Sequence, residues 1–190
     1  MNTNLAYQEE FYEERIGGKF VAMSPRPNVN HNRTARNIFH IFNGYLKGRK
    51  CEPFADGVDL HLTDEDWYIP DFMVVCDPDK IREDGVYGAP DLVAEVLSPS
   101  TARYDRGRKK DVYAQCGVQE YWIVSPGDRT VEQYVLENGQ YTLAAVYGQE
   151  SEARLNKMKP EERAAIPTEF KCSLFDDLTI QIADIFERVV

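Results

Sequence analysis

The sequence predicts a mixed α/β (α+β) fold, a central β-sheet flanked by helices, in a single domain covering residues 1–190. Three observations predict it. Residues 68–76 (YIPDFMVVC) and 91–97 (DLVAEVL) are short, nearly continuous apolar runs, the pattern of strands at the centre of a sheet. Residues 28–47 and 105–116 carry apolar side chains at helical spacing. Residues 130–147 (TVEQYVLENGQYTLAAVY) read as a hairpin about Asn138-Gly139. A chain of 190 residues, 43% hydrophobic and 28% charged, has material for one core and too little for two comfortable ones. That composition excludes collagen-like, low-complexity and wholly disordered chains.

Each element follows in order. An amphipathic segment, residues 5–14, leads through Gly17-Gly18 into KFVAMSP, which reads as a hairpin arm or edge strand. In the first helix Ala35, Ile38, Phe39, Phe42, Tyr45 and Leu46 share one face. Arg33, Arg36, His40, Asn43 and Lys47 share the other. Residues 51–62 look like two strands about the turn Ala55-Asp56-Gly57. A polar loop ending in Gly88-Ala89-Pro90 separates the two apolar strands, and the turn SPST leads into a helix stopped by Gly117. EYWIVS is a strand. Residues 151–165 (SEARLNKMKPEERAA) are charged and poor in core residues, so they form an exposed insert or short helix. A strand near 178–180 and a helix over 182–189 close the chain.

The net charge of −10 argues against a general nucleic-acid coat, because polyanions are bound mainly through Lys and Arg. The basic charge is nevertheless concentrated. Six basic residues and no Asp or Glu lie between Arg26 and Lys50, and five basic residues lie between Arg103 and Asp111. Both clusters suit solvated helix faces as well as a binding surface. No apolar run reaches the roughly 20 residues of a membrane span, and the acidic start MNTNLAYQEEFYEE is no secretory or transit signal. Cys51, Cys76, Cys116 and Cys172 lack metal-site spacing and read as reduced thiols of a cytoplasmic protein.

The charged residues inside hydrophobic elements are the most informative. Period-two alternation places Asp71 on the strand face of Ile69, Met73 and Val75, and Glu95 on that of Val93 and Leu97. A carboxylate in a buried strand is costly unless it is paired, hydrogen-bonded or metal-bound. Two on neighbouring strands make a candidate hard-cation site, since Mg2+ commonly takes one or two protein carboxylates. Lys109 falls on the apolar stripe of its helix with Val112, Tyr113 and Cys116, and Asp105 sits one turn earlier. An inward lysine needs a counter-charge, which Asp71 or Glu95 supplies. The same residues are equally consistent with a buried ion-pair network that only fixes the core.

The string IPD(71)-FMVV, GAPDLVAE(95)VLSPST, D(105)RGRK(109)KDVY(113)AQCGVQEYWIVSP resembles the bacterial Uma-type putative restriction endonuclease family of the PD-(D/E)xK superfamily. The similarity runs over residues 69–126, with weaker support from VAMSP and the helix start that contains His31. It implies a restriction-endonuclease-like mixed sheet and metal-dependent phosphodiester hydrolysis. Asp71 resembles the PD aspartate and Glu95 the second acidic ligand, together holding Mg2+ or Mn2+. The usual E-x-K lysine would fall at Leu97, and Lys109 on the following helix takes its place, orienting or deprotonating the attacking water or neutralising the transition state. Arg33, Arg36, Lys47, Arg103, Arg106 and Arg108 would contact the backbone of a nucleic acid, DNA in preference to RNA. A homodimer would serve two strands. Two further readings stand beside this one: a catalytically weak nuclease-fold protein that binds nucleic acid or dimerises, and an interaction domain whose buried charges only fix the core.

Other residues divide into supporting candidates and structural ones. His31 is a candidate hydrogen-bond partner or general base and equally a structural helix-start histidine. Asp59, Asp105 and Tyr113 are candidate supports of the site. His40 and His61 carry little functional signal, and Tyr121 and Trp122 read as core. Asp91 suits the turn before its strand, and Ser98 and Ser100 suit caps of the turn before the helix.

Overall fold

The computed structural model describes residues 13–22, 28–55 and 57–190. Most of the 5–14 segment, the MSP end of the arm and Asp56 lie outside them. The strands are β1 (Glu13–Ile16), β2 (Lys19–Ala22), β3 (Glu52–Ala55), β4 (Leu60–His61), β5 (Trp67–Tyr68), β6 (Phe72–Val75), β7 (Ile81–Arg82), β8 (Gly85–Tyr87), β9 (Leu92–Val96), β10 (Glu120–Ser125), β11 (Thr130–Glu137), β12 (Gln140–Gly148), β13 (Glu169–Lys171) and β14 (Thr179–Gln181). The helices are α1 (Val29–Leu46), α2 (Ala102–Asp105), α3 (Arg108–Cys116), α4 (Glu152–Leu155), α5 (Pro160–Ala164) and α6 (Ile182–Ile185). The fold is mixed α+β. A central sheet runs β12-β11-β10-β9-β6-β3, parallel between β9 and β10 and antiparallel elsewhere. A second sheet runs β2-β1-β5-β4-β8-β7, and β13 pairs with β14.

The period-two pleat divides the core. Phe72, Val74, Leu92, Ala94, Trp122 and Val124 face α1, which buries Ala35, Ile38, Phe42 and Leu46 against them. Fully burying one such side chain contributes about 1.5–3 kcal/mol. The Asn28 side chain caps α1 by accepting from the His31 N–H at 2.9 Å. Met73, Val75, Val93, Tyr121 and Ile123 face the other way, onto α3 and the inner side of the second sheet through Ile16, Leu60, Tyr68 and Val86.

The second sheet arises because expected elements split. The run 68–76 is broken at Pro70, which has no N–H for a ladder, so Trp67–Tyr68 joins one sheet and Phe72–Val75 the other. Residues 51–62 are not a hairpin: β3 pairs with β6, whereas β4 pairs with β5 and β8. The polar loop holds the β7–β8 hairpin. Gly85 is required there, because a Cβ would lie 2.6 Å from the Asp59 carbonyl and its φ is +152°. The 105–116 helix starts earlier and breaks before Gly107, where a Cβ would meet the Arg103 carbonyl at 2.9 Å. The insert contains α4 and α5 and buries no helical residue.

The cysteines also depart from expectation. Cys51 and Cys76 form a disulfide, with Cα atoms 3.9 Å apart, because they extend the β3–β6 pairing by one residue beyond Glu52↔Val75. Cys116 and Cys172 are free. The reduced-thiol basis for a cytoplasmic location therefore falls away. Among the described residues no helix is long and apolar enough to cross a membrane.

Glu120 begins β10 and is fully buried. Its Oε1 accepts from Trp122 Nε1 and Gln133 Nε2, both at 2.6 Å, and its Oε2 from the Ser173 N–H at 2.7 Å and the Ser173 hydroxyl. The carboxylate thereby ties the central sheet to the segment after β13. Glu120→Ala strands several buried donors, each worth about 1–3 kcal/mol when left unmade. The expected loss is about 3 kcal/mol or more by denaturant unfolding, with a smaller loss in Glu120→Gln. A loss below 1 kcal/mol in Glu120→Ala, about the low end for one stranded donor, would contradict this anchoring role.

Candidate active site

Asp71 lies between Pro70 and β6, at the end of the central sheet where β9 finishes. The β6–β9 register pairs Phe72 with Ala94, and extending it by one residue sets Asp71 opposite Glu95. Both have the parity of Met73 and Val93, which face α3 and the second sheet. Asp71 is held at both oxygens. Its Oδ2 accepts from the Val96 N–H at 2.7 Å, and its Oδ1 lies 3.3 Å from His31 Nε2 at the start of α1. Its side chain keeps 15% exposure. Glu95, in contrast, is buried.

α3 directs Lys109 into the space beneath Glu95. Its Nζ lies 2.7 Å from Glu14 Oε1, 3.1 Å from Glu95 Oε1 and 3.6 Å from Asp105 Oδ1. Asp105 ends α2 and reaches Lys109 across the Gly107 break at the i,i+4 spacing. Tyr113, one turn further along α3, donates its hydroxyl to Glu95 Oε1 at 2.8 Å. Glu14 is the member sequence reasoning missed. Its strand places it inward beside Ile16, where Oε1 also accepts from the Ile69 N–H at 2.9 Å. The available signal was alternation in EERI, a single charged residue at an inward position next to an isoleucine.

Three buried carboxylates therefore face one buried ammonium. Burial works against the Lys109 charge, but Glu95, Glu14 and Asp105 together hold its pKa well above the usual lysine value. Burial raises the Glu95 pKa well above the usual carboxylate range; Lys109 opposes this, while Asp105, Asp71 and Glu14 add to it. Asp105 is raised in the same way, first by burial, with Lys109 opposing. Glu14 Oε2 and Asp105 Oδ1 are buried without a hydrogen bond among the described residues.

The structure brings together Asp71, Glu95, Lys109, His31, Asp105 and Tyr113. It does not bring Asp59 to them: Asp59 is exposed beside Gly85 of the β7–β8 hairpin. The basic candidates divide. Arg108 makes a two-pronged pair with Asp66 at 3.0 and 2.8 Å, Arg106 pairs with Glu132 at 2.5 Å, and Arg33 donates to the Arg188 carbonyl at 2.6 Å. Arg36, Lys47 and Arg103 are exposed. Among the described residues no group of three or more His, Cys, Asp or Glu side chains is placed to hold a metal ion. The donors nearest to doing so are hard carboxylate oxygens, of the kind Mg2+ and Mn2+ take.

The chain matches known proteins in sequence and in shape. The family model described as Uma2, "Putative restriction endonuclease", matches residues 3–166. Two uncharacterized proteins of Synechocystis sp. are similar. With slr1290 the identity is 33% over 123 residues, 64% of this chain and 64% of the relative. With sll1609 it is 28% over 151 residues, 77% of this chain and 85% of the relative. The match to slr1290 thus spans less than two thirds of that relative's length. The crystal structure of a putative nuclease belonging to DUF820 from Anabaena variabilis superimposes with a TM-score of 0.68. It covers 94% of this chain and 91% of that one at 19% identity, which shows a shared fold.

Removing the ammonium leaves the carboxylates facing each other. Lys109→Met is expected to cost about 3–5 kcal/mol at neutral pH. Glu95 and Asp105 bind protons more tightly folded than unfolded, so their contribution makes stability fall as pH rises above the unfolded carboxylate value near 4. The Lys109→Met deficit should therefore shrink toward pH 5. Glu95→Gln should in turn flatten the decline of the wild-type unfolding midpoint as pH rises above about 4. A pH-independent Lys109→Met deficit would contradict the charge account.

Proposed function

The chain belongs to the Uma2 family of putative restriction endonucleases, and we propose that it is a divalent-metal-dependent nuclease that hydrolyses phosphodiester bonds in DNA. The observation that carries this reading is the pair Asp71 and Glu95, opposite one another on adjacent strands, with a buried ammonium 3.1 Å from Glu95. Asp71 and Glu95 would hold Mg2+ or Mn2+. The hard oxygen donors fit such an ion, and the reading is supported by Glu14 Oε2 and Asp105 Oδ1, which are buried without a hydrogen bond among the described residues. When bound, the ion lowers the pKa of a water and offsets charge on the phosphoryl group.

The chain's own residues do the rest. His31 and the Val96 N–H fix the orientation of Asp71. Tyr113 and Lys109 converge on one oxygen of Glu95. Lys109 stays an ammonium, because the carboxylates raise its pKa, so it offsets negative charge on the reacting phosphate and does not accept the water's proton. Glu14 and Asp105 are positioning residues that hold that ammonium. Arg36, Lys47 and Arg103 are the exposed candidates for phosphate contacts. Arg33, Arg106 and Arg108 would first have to leave their internal partners. A homodimer would place two such sites on two strands.

Occupation of Glu95 Oε1 by both Lys109 and Tyr113 favours a second reading, a nuclease-fold module that binds nucleic acid without turnover. Cleavage separates the two. Purified wild type with Mg2+ or Mn2+ should convert supercoiled plasmid to nicked and linear forms, and chelation should abolish this. Asp71→Asn and Glu95→Gln should each lose about a hundredfold or more of the rate while keeping the wild-type circular dichroism. Full activity in either variant rejects these ligands, and salt-sensitive binding without product in any divalent metal supports the module.

A further inference from the structure

The outer face of the second sheet carries a ladder unrelated to the buried carboxylates. In strand order β2-β1-β5-β4-β8-β7 it reads Phe20, Arg15, Trp67, His61, Tyr87, Arg82, one side chain from each strand. The pairing enforces it: Arg15 is opposite Phe20 and Trp67, and His61 is opposite Trp67 and Tyr87. The pleat turns these side chains outward because their neighbours Glu14, Ile16, Tyr68, Leu60 and Val86 point in.

Successive groups are in contact. The Arg15 guanidinium lies 5.8 Å from the Phe20 ring centre and 5.5 Å from that of Trp67. His61 is 5.0 Å from Trp67 and stacks on Tyr87 at 4.3 Å with 12° between planes. Arg82 lies over Tyr87 at 3.9 Å. At the ordinary strand spacing the row is about 24 Å long. Cross-strand pairs of this kind stabilise a sheet and here hold Tyr87 between His61 and Arg82, but that role does not require the open rings of Phe20 and Trp67. Phe20 is 63% exposed and Trp67 38%.

We propose that this ladder is a stacking platform for the unpaired bases of a single-stranded nucleic acid. Aromatic rings and guanidinium planes are what unpaired bases stack upon, and duplex bases hide the faces that such a row would meet. Charge sets the mode of binding. In a chain of net −10, Arg15 and Arg82 stand on this face against Glu13 and against Asp59, which is exposed beside Gly85 where β4 pairs with β8. Asp64, Glu65, Glu83 and Asp84 occupy the adjoining turns, and Tyr87 donates to Asp84. Those acids keep phosphates off the strand ends, so binding draws on stacking and two cations. The logarithm of affinity should then fall with the logarithm of salt at a slope of about −1.4. The choice of nucleic acid as occupant rests on the nuclease reading; the surface itself is on the opposite side of β1 from Glu14.

The test uses the full chain carrying Asp71→Asn, with chelator, and twelve-nucleotide oligothymidine and oligouridine probes. Trp67 is the exposed tryptophan and Trp122 is buried, so quenching of emission reports on the ladder. The expected result is quenching, with duplex of the same length binding more weakly. Phe20→Ala, at an exposed edge position, should weaken binding about fivefold or more, as for loss of one stacked base. Arg82→Ala should weaken it and make the salt slope shallower. Equal binding of duplex, or unchanged affinity in both variants, overturns the proposal. So does concentration-dependent self-association through Trp67 without oligonucleotide, or tighter binding of a proline-rich peptide. Platform binding without any wild-type plasmid cleavage would overturn the nuclease reading and leave the platform standing.

Discussion

The Lys109 ammonium is the group on which the rest of this molecule depends. It joins four separate pieces of chain: β1 through Glu14, β9 through Glu95, the end of α2 through Asp105, and its own helix α3. Without it, three carboxylates would share a space from which water is nearly excluded, a state that costs far more than the pairing itself contributes. The cluster is therefore weak evidence for stability and stronger evidence for a site. Burial, with the neighbouring carboxylates adding to it and Lys109 opposing, raises the pKa values of Glu95 and Asp105, and such perturbed groups concentrate where chemistry is done.

Two buried carboxylates in the central sheet show how environment separates structure from site. Glu120 is surrounded by donors from Trp122, Gln133 and Ser173, so its oxygens are occupied by fixed hydrogen bonds. Glu95, on the adjacent parallel strand and in register with Ile123, meets an ammonium and a tyrosine on one oxygen, with further carboxylates close by. The pleat sends Glu120 to the α1 side with Trp122, and Glu95 to the α3 side with Val93. One residue of register would exchange their surroundings.

Pro70 has an equally wide effect. By ending the pairing of Trp67–Tyr68 before Phe72–Val75 begins, it sends the chain from one sheet to the other within three residues. Asp71 sits on that passage, beside the end of β9 and the start of α1. The second sheet consequently has two uses. Its inner face delivers Glu14 to Lys109, and its outer face lines up Phe20, Arg15, Trp67, His61, Tyr87 and Arg82.

The local elements and the inward charges were readable from neighbouring residues. Alternation and helical spacing are properties of neighbouring residues, so α1, β9, β10 and the β11–β12 hairpin were legible, as were the inward positions of Asp71, Glu95, Lys109 and Tyr113. Which distant strands pair is set in the assembled fold. That choice depends on packing and register across long separations, which local periodicity does not encode. It divided β3 from β4 and β5 from β6, and it set Cys51 beside Cys76 across 25 residues. It took Arg33, Arg106 and Arg108 into internal partners, and it brought Glu14 from the first described strand to a lysine almost a hundred residues later. A long-range ion pair leaves no spacing to read, because its two halves obey only the geometry of the finished fold.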